Sequence, residues 1–235
     1  MHFLTSNHER NLLSLQARVQ PTQFDSMSDL FEKEMVRRLA VVLRPKWPLL
    51  HTNIELTFDG AMEEVDLLIA DAQTRTLLVC ELRWMLGPGD PREVQNRKRV
   101  CWEKVNQLER KVRWLQSRTG AVIQRAFGIL PDSAPHRPWD VVGAVVIETF
   151  GGARSTKPEF PIMNSAIFEL GMNMAVSLAH FGTWSKSLAW LPQEGVHFKL
   201  VPQEDTVAGK TLKFVGMERL QSRSEYKEYL ARTLL

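Results

Sequence analysis

In the stretch Glu63 to Trp84, EEVDLLIADAQTRTLLVCELRW, the residues Asp66, Glu81 and Arg83 are of types that can do chemistry and fall within what read as strands. They stand among Leu67, Leu68, Ile69, Leu77, Leu78, Val79 and Cys80, a pair of apolar runs that read as buried strands. A hairpin looping at Ala72 to Arg75 sets Asp71 across from Thr76, and the same register sets Asp66 across from Glu81. Facing residues share one side of a sheet, with Cβ atoms about 4.5–5.5 Å apart. Two carboxylates so placed repel, and burial of an unpaired carboxylate is strongly disfavoured. A divalent cation between them, Mg²⁺ or Mn²⁺, is the economical remedy, because hard cations take oxygen ligands. Alternation adds Arg83 to the Glu81 face and turns Leu82 away. The plain alternative is a structural salt bridge from Arg83 to either acid, or a register slip that separates the acids.

The surrounding elements must position these groups. Ser28-Asp29 is a helix-cap signal, and LFEKEMVRRLAVVL follows with Leu30, Phe31, Met35, Leu39 and Val42 roughly on one face; Pro45 and Pro48 end it. Asn53 to Phe58 alternates as a half-buried strand closed by Asp59-Gly60. After the hairpin, GPGDP (87–91) breaks the chain, and a helix is expected from about Val94 to Ser117. Its apolar stripe is Cys101, Val105, Leu108, Val112 and Leu115, with Thr119-Gly120 closing it. A proline-rich loop at 131–139 precedes the apolar strand VVGAVVIETF. Helix, three strands, helix, strand is an α/β (α+β) order, a mixed sheet flanked by helices.

Beyond Gly152 the pattern weakens. PIMNSAIFEL reads as a strand entering a helix, MAVSLAHF and WSKSLAWL as helical, and VHFKLV with TLKFVGM as a hairpin around EDTVAG. SEYKEYLARTLL is a closing helix. The expected organisation is a core at 1–152 and an α+β extension at 153–235 packed on the same body.

EVDLLIADAQTRTLLVCELR, an acid, a spacer and then acid-x-base on the next strand, resembles the active-site hairpin of the PD-(D/E)XK nuclease superfamily. That superfamily includes restriction endonucleases and archaeal-type Holliday-junction resolvases. The resemblance spans about residues 28–150. It implies a metal-dependent nuclease, with DNA first among substrates and Asp66, Glu81 and the Leu82 carbonyl as metal ligands. Glu32 occupies the position of the first-helix glutamate, with Glu34 second to it. Lys104 and Gln107 occupy the helix after the motif, where some branches carry a lysine or glutamine facing the site. Two departures stand out. No proline precedes Asp66, and Arg83 replaces the motif lysine. An arginine stays protonated and accepts no proton from water, which makes Lys104 the candidate replacement. The alternative is a nuclease fold that has lost cleavage and serves as a nucleic-acid-binding or assembly module. A homodimer is the assembly that duplex cutting by such relatives implies, although no stretch marks an interface.

Charge distribution supports a polyanion. From Arg92 to Arg118 the chain carries nine basic residues against three acids. Arg97, Lys98, Arg99 and Lys111 are the expected phosphate contacts, set against the ordinary reading of a solvated helix face. Trp84 and Trp102 lie near enough to contact a base. His51, His136, His180 and His197 show no metal-ligand spacing with Cys80 or Cys101. Two cysteines build no disulfide framework, and no apolar run approaches the ~20 residues of a membrane span. A cytoplasmic protein is the expectation.

Overall fold

A computed structural model describes residues 8–88, 91–129, 138–149, 153–155 and 157–234. The proline-rich loop, with His136, falls almost wholly outside them. Helices α1 (His8–Val19) and α2 (Pro21–Leu43) precede a meander of β1 (Leu50–Phe58), β2 (Ala61–Asp71) and β3 (Thr76–Trp84). Helices α3 (Pro91–Gln116) and α4 (Thr119–Phe127) then cross to β4 (Asp140–Glu148). After β5 (Ile162–Asn164) come α5 (Ser165–Met174), α6 (Leu178–Ser187), the hairpin β6 (Phe198–Val207) and β7 (Lys210–Arg219), and α7 (Arg223–Thr233). The fold is mixed α/β, as expected: one five-stranded sheet in the order β1-β2-β3-β4-β5, antiparallel through β3 and parallel beyond. No helix among the described residues is long and apolar enough to cross a membrane.

The sheet is buried on both faces, which explains its nearly continuous apolar strands. One core joins Leu67, Ile69, Leu78 and Leu82 to α2, α5, α6 and α7 through Leu39, Phe168, Phe181 and Leu230. The other joins Leu68, Leu77, Val79 and Val145 to the Cys101–Leu115 stripe of α3 and to Val122 of α4. Residues after 153 therefore supply the fifth strand and much of the first core. At Gly143 an added Cβ would lie 3.1 Å from the Leu108 and Phe160 side chains. That lets α3 settle close against β4.

Several boundaries differ from expectation. Helix α2 begins at Pro21, a residue suited to the first helical position, so Ser28 is a buried interior residue rather than a cap. Its buried stripe is Met35, Val36, Leu39 and Leu43, whereas Leu30, Phe31 and Val42 are exposed. Thr119 opens α4 instead of closing α3, because Val122 and Ile123 have core to bury, and Gly128 in the left-handed region (φ 68°) ends it. The MAVSLAHF segment breaks at Ala175–Ser177, where the Ser177 hydroxyl caps α6. In the second hairpin EDTV belongs to β6, and the turn is only Ala208-Gly209, both with positive φ.

Candidate functional site

Alternation along β3 sends Leu77, Val79 and Glu81 toward α3. Glu81 is fully buried there. Its compensation comes from α3: Lys104 Nζ donates to Glu81 Oε2 at 2.9 Å, and Lys111 Nζ donates to Oε1. The two lysines are seven residues apart, two helical turns, so they share one face. Lys111 is itself 8% exposed. It stands at the floor of the site and not on the solvent face where a phosphate-contacting role had placed it. Arg83 is not the counter-charge of Glu81 either. Its Nη1 donates to Glu32 Oε2 at 3.1 Å, and the Trp84 amide donates to the same oxygen at 3.3 Å.

The β2–β3 register is the expected one from Asp71↔Thr76 to Leu67↔Cys80, and there the ladder stops, one position before Asp66 and Glu81. On the other side, β1 pairs Thr52↔Leu67 and Ile54↔Val65 while omitting Asn53 and Asp66. Asn53 has a left-handed φ of 48°. Across this gap both strands change phase. Leu50 and Leu67 face the α2 side, whereas Ile54 and Val65 face α3. Asp66 thus sits at a break in regular alternation, and its Oδ2 accepts the Leu82 N–H at 2.7 Å in place of a ladder partner. Leu82 enters the site through that amide. No other hydrogen bond to the Asp66 carboxylate is formed among the described residues.

Burial and the neighbouring Glu81 charge push the Asp66 carboxyl up to about 6, against the pull of the Leu82 amide and both lysines. For Lys104, burial works to lower the ammonium, but Glu81 and Asp66 outweigh it and hold the group above its ordinary value. Lys104 is consequently a cation here and not a ready proton acceptor.

A polar cleft of about 470 Å³ opens between α2, the β1–β2 ladder and α3, and Glu32, Asp66, Glu81, Lys104, Gln107 and Lys111 all line it. Gln107 is exposed on the Lys104 row. Sequence reasoning missed Lys33 and Asn53 on the rim, and the Glu63–Arg110 pair (3.0 Å) that ties β2 to α3 beside them. Glu34 points elsewhere and pairs with Arg37 at 2.6 Å. Arg97, Lys98 and Arg99 do not line the cleft: Arg97 Nε donates to the Leu86 carbonyl at 3.0 Å, and Arg99 lies 3.9 Å from Glu103. Trp84 stacks on Phe31 at 4.6 Å, and Trp102 donates to the Arg154 carbonyl.

The two ammonium groups, rather than the divalent cation expected between the acids, compensate the buried Glu81 charge. Among the described residues no group of three His, Cys, Asp or Glu side chains gathers as a metal site. The donor set still suits Mg²⁺, which commonly binds through one or two carboxylates and keeps waters or substrate phosphates for its remaining positions. Asp66, its carboxyl still raised despite both lysines, is a carboxylate short of positive charge. Binding at Glu81 would require Lys104, the partner whose side chain is the more exposed of the two (19% against 10% of side-chain surface), to withdraw.

Compared with protein-family models, curated proteins and solved structures, the chain matches none.

Proposed function

We propose that the protein is a metal-dependent phosphodiester hydrolase acting on nucleic acid, with DNA as the expected polymer. The supporting observation is the meeting of Asp66, Glu81 and Lys104 in one polar cleft, two carboxylates from adjacent strands with an ammonium from α3. Asp66 and Glu81 would hold the Mg²⁺ or Mn²⁺ ion. Bound there, the ion supplies a Lewis acid that polarises the phosphate and acidifies water. The chain's own groups do the rest. Lys104, released from Glu81, donates to a non-bridging phosphate oxygen and offsets the charge that grows there. Arg83 is not among the residues that line the cleft and contributes its permanent positive charge from behind Glu32, to which it donates, while Asp66 would also help orient water for in-line attack. Lys111 stays with Glu81, keeping a buried carboxylate compensated.

One observation favours a second reading, a nucleic-acid-binding module without cleavage: both Glu81 oxygens already hold ammonium partners. Incubation with single- and double-stranded DNA and RNA, with Mg²⁺, Mn²⁺ or EDTA, separates the two. The proposal expects cleavage that EDTA, Asp66→Ala and Glu81→Ala each abolish. Binding without cleavage by clean protein supports the module, and cleavage that survives both substitutions rules out this site.

A further inference from the structure

A second recess adjoins the cleft. It is a groove of about 660 Å³ between α2 and β1, sharing Lys33, Val36 and Asn53 with the cleft and adding Arg37 and Arg44. Lys33, Arg37 and Arg44 are spaced four and seven residues apart, so they fall within about 40° of one another around the helix and span about 16 Å along it. All three are exposed. Lys33 and Arg44 form no ion pair among the described residues, and the Arg37–Glu34 pair is solvent-exposed on both sides, a kind worth little. The opposite wall is β1, an edge strand whose outer side pairs with no other strand among the described residues.

We infer that this groove carries the backbone of a single nucleic-acid strand into the cleft, an inference that rests on the hydrolase reading for what happens at its end. A positive stripe beside a strand edge, in a groove that shares Lys33, Val36 and Asn53 with the carboxylate cleft, is the form of a backbone-tracking channel. Glu81 lies fully buried at the cleft floor, so a phosphate must descend between α2 and α3 to approach it. A recess bounded by one helix and one strand edge admits one flexible backbone and leaves a rigid duplex outside. The stripe thereby takes the role expected of Arg97, Lys98 and Arg99, which lie off the cleft.

The test is fluorescence anisotropy of a labelled DNA strand of about 15 nucleotides, and of its duplex, with the full chain in EDTA across a salt series. Lys33→Gln/Arg37→Gln/Arg44→Gln is compared with Arg97→Gln/Lys98→Gln/Arg99→Gln, and circular dichroism confirms that both fold. The α2 variant is expected to bind the single strand at least about 30-fold more weakly and to lower the salt slope by about 2, as three lost contacts at roughly 0.7 each require. The α3 variant should change affinity by less than about threefold, within the scatter of exposed charges. Equal affinity of the α2 variant and wild type, no binding by wild type, or tighter binding of the duplex each overturns the inference. Binding that depends on α2, without cleavage in Mg²⁺, would sink the hydrolase and leave the groove standing. Cleavage with an indifferent α2 stripe would do the reverse.

Discussion

In the proposed metal site Asp66 would carry opposing demands, since a bound cation needs its negative charge whereas burial and the Glu81 charge favour its proton. A carboxyl raised to about 6 binds its proton more tightly in the folded than in the unfolded chain. Its contribution to stability is therefore greatest at low pH and is lost as pH rises from about 4 through about 6, by on the order of 3 kcal/mol. Asp66→Asn keeps an acceptor for the Leu82 amide and removes the charge. It should exceed wild type by on the order of 2–3 kcal/mol at about pH 8 and match it at about pH 4, measured by urea unfolding. Equal stability at both pH values would mean that the lysines already satisfy the acid. Lys111 has the opposite character. Lys111→Met strips a buried partner from Glu81 and should cost on the order of 3–5 kcal/mol. Adding Glu81→Gln in the same chain should restore most of that loss, a coupling that a double-mutant cycle reads directly.

At the scale of elements, the paired irregularity in β1 and β2 places the site. Asn53 adopts a left-handed φ, which glycine tolerates and a β-branched residue does not. Asn53→Gly should leave the melting temperature near wild type, whereas Asn53→Val should lower stability by about 1–3 kcal/mol. Equal tolerance of both would show that the break is not fixed at Asn53. The same irregularity marks the limit of what could be read from sequence. Turn residues defined the β2–β3 register, and the four-three spacing from Cys101 to Leu115 defined α3 and the row containing Lys104, Gln107 and Lys111. Regular alternation offered no sign that both strands change phase at Asn53 and Asp66, because that change is a long-range agreement between two strands. The Ser28 signal misled for a related reason. A cap motif is local, whereas the start of α2 follows Pro21. The basic count along α3 likewise could not tell Lys111, drawn inward by Glu81, from Arg99 on the surface.

In the whole molecule, two cores on opposite faces of one sheet flank the site between α2 and α3. The β6–β7 hairpin stands apart from this arrangement. Among the described side chains from 199 to 218 none belongs to either core, and Leu200, Leu212, Val215 and Met217 are half or more exposed. Two-stranded ribbons are marginal by themselves in water. Replacing residues 201–216 with a two-residue turn should therefore shift the calorimetric melting temperature by no more than a few degrees, about the effect of 1 kcal/mol or less in a chain of this size. Loss of a cooperative transition would place the hairpin inside the folding unit.

In the proposed site, Asp66 and Glu81 jointly bind a divalent ion that Lys104 makes room for. A crystal soaked in Mn²⁺ and measured for anomalous scattering tests it most directly. The expected result is density between the two carboxylates, with the Lys104 ammonium moved off Glu81 and Lys111 still in place. Density absent from that position, with Lys104 and Lys111 both still on Glu81, would contradict it.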